Sequence, residues 1–233
     1  MKKLKAVMIL VLVLVLAGGG FGLYYYFYQD SNFISTEDAQ VTANMVTVTP
    51  EVTGKVNNWD IKEGDLVKAG QVLGRQDLSM LVTSSAINPQ ALDSAADSII
   101  SKADIKSPID GKVIQTSVVK GQVLSPGMEA ATIADTANIY IKANIEETSI
   151  FKIKQGQKVD ITVDAYPGKT FAGYVETIGQ ATQSVFSPFP SLNTSGEFSK
   201  VTQLIPVKIG IVNDEDLTLM PGMNATVKIH IKQ

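Results

Sequence analysis

The order of apolar and polar positions divides the chain into a long apolar start and a β-like remainder. The run from Ala6 to Tyr28 carries no charge, and at ~1.5 Å per residue it can cross a hydrocarbon core of ~30 Å. Three lysines precede the run and an aromatic cluster ends it, which favours a cytoplasmic N-terminus. A cleaved signal peptide is the alternative, but apolar residues continue well past a cleavage site near Ala17. The run therefore predicts a membrane anchor that includes Ala6, Leu16, Phe21 and Tyr28.

Beyond residue 32 the pattern is that of short β-strands. Val46 and Val48 alternate with Thr47 and Thr49, and Gly and Pro recur at short intervals. From Asn138 onward, further alternating stretches predict five or six strands with no long helix between them, which is typical of a barrel-like domain. A Ser-, Pro- and Phe-rich stretch at 181–200 is predicted to be a long loop.

An internal repeat at an offset of 57 residues covers 52–70 and 109–127. Within these 19 positions there are five identities and four conservative apolar matches, with no gap. Three of the identities are glycines, which suit turns or close strand approaches. The repeat predicts two related β-hairpin units that face each other as a small sandwich, each covering the apolar face of the other.

A helical pattern separates the two repeat units. Leu92, Ala96, Ile99 and Ala103 recur at helical spacing, and Asn88-Pro89 suits the N-cap and first helical positions. We expect one short helix between the units.

Composition excludes several classes of function. With 20 basic against 23 acidic side chains there is no basic excess, which argues against a nucleic-acid surface. The sequence has no Cys, so disulfides, thiolate metal sites and Cys nucleophiles are excluded. Its single histidine, His230, leaves no imidazole cluster for a metal or a catalytic base. We expect no enzyme activity, no metal site and no cofactor.

Four segments follow one another along the chain: Thr36–Val41, Thr49–Val56, the I-x-[AS]-P-x-D-G-x-V element at Ile105–Val113, and Ile139–Thr148. In these segments the sequence resembles the HlyD-type membrane fusion proteins, a family of periplasmic adaptors. Phe186–Ile209 is similar to the EmrA branch in particular. These segments occur in the family's order and cover nearly the whole chain from Thr36.

The resemblance implies a mainly β fold with an N-terminal transmembrane helix, a split biotinyl-lipoyl-like sandwich carrying a short helical insertion, and a β-barrel. The implied divisions are 1–28 (lysine-rich start and anchor), 29–44 (linker and first barrel strand), 45–77 (first lipoyl-like half), 78–105 (insertion), 106–137 (second half) and 138–233 (barrel). It also implies partners: the lipid bilayer through residues 6–28, further copies of the chain in a homo-oligomer, and a polytopic inner-membrane transporter. The resemblance associates the EmrA branch with transporters of the major-facilitator type, and other branches with those of the ABC or resistance-nodulation type.

The insertion departs from the Gram-negative pattern, in which a helical hairpin reaches an outer-membrane channel. Leu78 to Asp104 leaves 27 residues, enough for two arms of ~18 Å or one helix of ~22 Å. The hypothesis is a cell with one membrane, or a pump without an outer-membrane channel.

Three alternatives use the same residues differently. A biotin or lipoate carrier needs its acceptor lysine in the tight hairpin between the halves, where this chain has the insertion and only Lys102. A hydrolase would need two carboxylates facing each other, whereas Glu146 and Glu147 are adjacent and would point to opposite faces of a strand. A stand-alone cell-surface binding or structural module stays open, because the short insertion removes the usual docking tip.

The candidate site residues are turns and surface positions. Six repeat glycines are expected in turns: Gly54, Gly64, Gly70, Gly111, Gly121 and Gly127. Phe186, Phe189 and Leu192 in the long loop, with Asn88 and Pro89 at the start of the insertion, are candidate partner contacts. Burial of the loop against its own barrel is the alternative for the three apolar residues.

Overall fold

A computed structural model of the chain describes residues 12, 15–20, 32–77, 101–186, 202–212 and 217–232. Leu12 and residues 15–20 are helical and exposed, Leu16 among them. Ala6, Phe21 and Tyr28 of the predicted anchor lie outside the described residues. In the part of the chain that is described, no helix is both long and apolar enough to span a membrane.

Fourteen strands are found in the described residues, together with two short 3-10 helices at Ile150–Lys152 and Gln183–Phe186. The strands are β1 (Phe33–Thr42), β2 (Met45–Val48), β3 (Gly54–Trp59), β4 (Leu66–Val67), β5 (Val72–Asp77), β6 (Asp104–Lys106), β7 (Gly111–Thr116), β8 (Val123–Leu124), β9 (Ala131–Ala134), β10 (Tyr140–Glu146), β11 (Lys158–Val163), β12 (Phe171–Ile178), β13 (Leu204–Val212) and β14 (Asn224–His230). The strands belong to two compact units, one formed by the described residues between 43 and 139 and one by the described residues on either side of that range. The mainly β architecture expected from the sequence is confirmed.

The unit 43–139 is a sandwich of two four-stranded sheets with the orders β2-β9-β7-β4 and β6-β5-β3-β8. Adding 57 to the residue numbers of β3 and β4 gives β7 and β8, and the same step takes β5 onto β9 and β2 onto β6 within one or two residues. The repeat therefore converts one sheet into the other. However, each sheet contains strands of both repeat units, so the expectation that each unit forms its own layer is wrong.

The exchange of strands is fixed by matched hydrogen bonds. The Gly64 amide donates to the Val113 carbonyl over 2.8 Å, and the Gly121 amide donates to the Val56 carbonyl over the same distance. Because each turn bonds to the central strand of the other half, neither half can close its own sheet alone. The two sheets bury a common core that includes Val48, Val56, Val67, Leu73, Ile105, Val113, Leu124 and Ile133.

The second unit is a closed barrel with the strand order β1-β10-β13-β12-β11-β14. Every neighbouring pair is antiparallel, and alternate residues point inward, as in β11, where Val159, Ile161 and Val163 are buried. Strand β1 precedes the sandwich in the sequence, and it closes the barrel between β10 and β14. Closure leaves no free sheet edge in this unit.

The predicted turn glycines divide into two groups. Gly64, Gly70, Gly121 and Gly127 lie in turns with φ between +80° and +93°. Gly54 and Gly111 instead open strands β3 and β7, which corrects the prediction that they are turn residues. A Cβ at Gly111 would lie 2.3 Å from the Ala134 carbonyl oxygen, so this position needs glycine because two strands approach closely.

Candidate interaction surfaces

The base of the insertion is held by the pair of strands from which it emerges. Arg75 in β5 lies opposite Asp104 in β6, and the Arg75 Nε donates to Asp104 Oδ1 over 2.6 Å. This hydrogen bond, assisted by the Arg75 charge, holds the pKa of the Asp104 carboxyl below its usual value and raises the pKa of Arg75. The backbone amide of Gln76 donates to the Ala103 carbonyl over 2.8 Å. Asn88 and Pro89, the predicted contacts in the insertion, lie outside the described residues.

Two of the four edge strands of the sandwich, β4 and β8, each expose an apolar side chain. Leu66 is 78% exposed and Val123 is 47% exposed, and the two residues are 57 positions apart, so they are equivalent in the repeat. Each strand lies at the edge of its sheet. A groove beside β4 is lined by Leu66, Lys68, Asp110 and Ala137 among others. The sandwich thus presents two equivalent, partly apolar edges.

One end of the barrel, called here the Asn32 end, gathers the start of β1 and the end of β14. The Ile231 amide donates to the Asn32 carbonyl over 2.9 Å. Phe33 lies edge-on to the His230 ring at 4.8 Å, and the Lys228 ammonium lies 4.1 Å from the Phe33 ring centroid. The connection between β10 and β11 lies at the same end, because β10 runs antiparallel to β1.

Phe151 is an exposed residue that sequence reasoning missed. It lies in the 3-10 helix at Ile150–Lys152 and is 92% exposed, whereas Ile150 and Ile153 on either side are buried. The available signal was the spacing of these two isoleucines, since residues three apart in a 3-10 turn share a face and leave the intervening residue outside.

The long loop predicted at 181–200 is described only in part. Phe186 ends the 3-10 helix Gln183–Phe186, whereas Phe189 and Leu192 lie outside the described residues. Val185 in this helix is 68% exposed. The helix follows β12 and lies beside β13, and the Gly179 amide donates to the Pro206 carbonyl at the start of β13. This places the helix at the Asn32 end.

Trp59 joins the two halves of the sandwich. Its ring lies against the core of the sandwich, and its Nε1 donates to the Thr116 hydroxyl over 3.0 Å. Trp59 and Thr116 are themselves 57 residues apart, so equivalent positions of the two halves bond to each other.

The polar groups form surface pairs. His230 Nε2 lies 2.8 Å from Asp160 Oδ2 on neighbouring strands of the barrel. Glu146 accepts from the Thr148 hydroxyl at 3.3 Å. Within the ranges that the structure covers, no group of three or more His, Asp or Glu side chains is placed to hold a metal ion.

Two family models match the chain, one on each unit. The RND membrane fusion protein barrel-sandwich hybrid domain matches residues 44–136, and the YknX-like β-barrel domain matches residues 139–229. The first match covers the sandwich and the second covers the barrel strands from β10 to β14.

Relatives and solved structures agree with these models. The chain is 40% identical to YhbJ of Bacillus subtilis, named as a candidate efflux system component, over 86% of this chain and 81% of that protein. It is 34% identical to the colistin resistance protein EmrA of Acinetobacter baumannii, over 57% of this chain and 38% of that protein. In fold it is similar to a MacA–MexA chimeric protein carrying the Pseudomonas aeruginosa MexA α-hairpin domain, with a TM-score of 0.68 and 22% identity over 86% of this chain and 82% of the other.

The YhbJ match is long enough in both chains to establish kinship, whereas the chain matches well under half of the length of the EmrA relative. The matched units follow one another in the order that the sequence segments indicated. The chain belongs to the HlyD-type membrane fusion protein family of non-enzymatic periplasmic adaptors, with YhbJ and EmrA proteins among its relatives.

Proposed function

We propose that the chain is a single-pass, membrane-anchored adaptor subunit of an efflux or export system. Residues 6–28 cross the bilayer with the lysines in the cytoplasm, and both β units lie outside it. The anchor is supported by the uncharged run and its flanking lysines and aromatic residues. The adaptor role is supported above all by the sandwich followed by the barrel, the arrangement matched by the two family models.

The partner in this proposal is a polytopic transporter of the inner membrane. A major-facilitator transporter is favoured over an ABC transporter, because the relatives include EmrA proteins and the resemblance associates that branch with facilitator pumps. The adaptor binds the transporter and extends the export path outward.

Co-purification tests the partnership. The tagged full-length chain, extracted in mild detergent from its own membranes, is expected to bring down a polytopic transporter in a fixed ratio. In a matched control, residues 1–28 are replaced by an unrelated single-pass anchor, and the transporter should still co-purify if the β units provide the contact. A chain that stays in the membrane fraction and brings down no transporter would instead support the stand-alone surface module.

The short connection between β5 and β6 supports a further part of the proposal. Strand β5 ends at Asp77 and β6 begins at Asp104, so the insertion has only the residues between them. We place the adaptor in a cell with one membrane, or in a pump that uses no outer-membrane channel. Electron microscopy of the purified complex would contradict this if it showed a continuous tunnel into an outer-membrane channel.

The proposal also includes a homo-oligomer. Its support is the pair of exposed apolar edge positions, Leu66 and Val123, at equivalent edges of the two sheets. Edge β4 of one copy facing edge β8 of the next would repeat around a ring.

A further inference from the structure

We infer that the Asn32 end of the barrel touches the bilayer surface, with the Phe151 ring inserted among the lipid headgroups and Lys152 and Lys154 beside their phosphates. The inference rests on the proposed membrane anchor and goes beyond it, because it assigns a second lipid contact to the folded barrel. Four observations carry it: the rigidity of the turn, its exposure, its place on the barrel and its charge.

The turn that carries Phe151 is firmly built. The Ile153 amide donates to the Ile150 carbonyl over 3.0 Å, and both isoleucines are buried. The Lys154 amide donates to Gln157 Oε1 over 2.9 Å, and Gln157 is itself buried. Because the backbone of the turn is already ordered, little backbone conformational entropy is lost when the Phe151 ring enters another phase.

The exposure of Phe151 is exceptional among the described residues. At 92% it is the most exposed large apolar side chain of that part of the chain. Its neighbours Ile150 and Ile153 are buried, so the exposure is confined to the ring at position 151. A single exposed apolar residue is common in proteins. Here, however, Val185 at the same barrel end is also 68% exposed, so the end carries two separate apolar projections.

The chain length between the predicted span and the barrel brings this end close to the bilayer. Tyr28 ends the uncharged run, and Asn32 is already bonded to the barrel through the Ile231 amide. Four residue steps extend at most ~14 Å. Phe151 lies at this Asn32 end, the end of the barrel that the predicted anchor would join. The opposite end of the barrel holds the β13–β14 connection, where the Gly222 amide donates to the Val41 carbonyl.

The residues beside the ring suit a headgroup layer. Lys152 and Lys154 are both exposed, so an aromatic ring with a cation on its C-terminal side projects from the turn. Aromatic rings favour the membrane interface, and lysines near a surface are attracted to anionic lipids. Glu146 and Glu147 precede the turn, and the Thr148 hydroxyl donates to Glu146 without removing its charge. The attraction to anionic lipid is therefore assigned only to the part of the turn that carries Lys152 and Lys154. A lipid surface explains the ring, the lysines and the short tether together, whereas a protein partner would not require the tether to be short.

The absence of cysteine from the sequence allows a direct test. Nitroxide labels would be placed one at a time at Phe151→Cys, Met220→Cys and Leu16→Cys in the full-length chain, reconstituted in bilayers of phosphatidylcholine and phosphatidylglycerol. Met220 is the matched control, because it is 55% exposed and lies in the β13–β14 connection at the opposite end. Collision rates with oxygen, which enters lipid, and with a water-soluble nickel chelate report the depth of each label.

The expected result is an oxygen-to-nickel collision ratio several-fold higher at position 151 than at position 220. The double change Lys152→Gln and Lys154→Gln should lower the ratio at 151 in bilayers containing phosphatidylglycerol and leave it unchanged in pure phosphatidylcholine. Equal ratios at 151 and 220, with the label at 16 inside the bilayer, would overturn the inference and leave the anchor standing. A water-exposed label at 16 would overturn both. Shielding of position 151 only after a transporter is added would assign the contact to protein and overturn the lipid contact.

Discussion

Gly111 and Gly127 occupy very different surroundings although both belong to the repeat. A Cβ at Gly111 would meet the Ala134 carbonyl oxygen at 2.3 Å, whereas a Cβ at Gly127 would meet nothing within 4 Å. We predict that Gly111→Ala lowers the free energy of unfolding of the sandwich by more than ~2 kcal/mol, because strands β7 and β9 must separate. Gly127→Ala should cost only ~1–2 kcal/mol, the strain of φ +88° in a residue with a side chain.

Urea unfolding followed by the fluorescence of Trp59 measures both changes, since this ring packs against the core of the same unit. Equal losses for the two variants would show that close strand approach is not what selects glycine at position 111.

The repeat predicted which positions are equivalent but not which of them meet. Trp59 and Thr116 are equivalent and bond to each other, a contact that requires knowledge of how the halves are oriented. Gln76 and Ile133 are equivalent too, yet Gln76 is a buried amide that donates to the Gly54 and Leu124 carbonyls. The repeat shows that Gln76 and Ile133 are equivalent, but it does not show that position 76 lies next to two carbonyl groups that accept from its side chain.

At the scale of the element, the long alternating strands of the barrel were predictable because each buries every second residue. The two-residue strands β4 and β8 were not, since two residues show no period and their partners lie in the other half of the repeat. For the same reason the exchange of strands between the halves was missed. Most of the predicted insertion helix, and with it Asn88 and Pro89, stays a prediction.

The β5–β6 pair at the base of the insertion gives a pH-dependent prediction. The pKa of Asp104 is lower in the folded chain than in the unfolded chain, so its stabilising contribution is present above the ordinary Asp value of ~3.9 and is lost as pH falls through the folded pKa. We expect an NMR titration of the Asp104 carboxyl carbon to have its midpoint below ~3.9. Arg75→Gln should return the midpoint toward that value.

Hydrogen exchange supplies an independent check on the same pair. The backbone amide of Gln76 donates to the Ala103 carbonyl beside the pair. This amide should exchange faster in Asp104→Asn than in the unchanged chain at neutral pH. Below the folded pKa of Asp104 the two proteins should exchange alike. A difference that persists at low pH would mean that the substitution acts by some route other than the Arg75 contact.

At the scale of the whole molecule, the ordered set of segments identified the family, because sandwich and barrel elements follow one another along the chain. Surface residues determine which transporter and which exported compound are bound, and surface residues show no periodic pattern in the sequence. Leu66 illustrates the difficulty, because in sequence it is one more apolar strand residue, whereas the fold places it 78% exposed on an edge. The repeat makes Val123 the counterpart of Leu66, but only the strand order reveals that both lie on sheet edges.

The proposed ring of copies makes a prediction about these two edges. Because β4 of one copy would face β8 of the next, the contact is heterologous, and damage to either edge should break every interface of the ring. Leu66→Lys and Val123→Lys should therefore each shift the full-length protein in detergent toward the monomer, as measured by sedimentation velocity. Ile114→Lys is the matched control, since Ile114 is an exposed apolar residue of β7, which lies inside its sheet next to β4. Dissociation by Ile114→Lys as strong as that caused by the edge variants would show that apolar surface in general, and not the strand edges, holds the copies together. If only one edge variant dissociates it, the contact joins like edges in a closed dimer, and the ring arrangement is excluded.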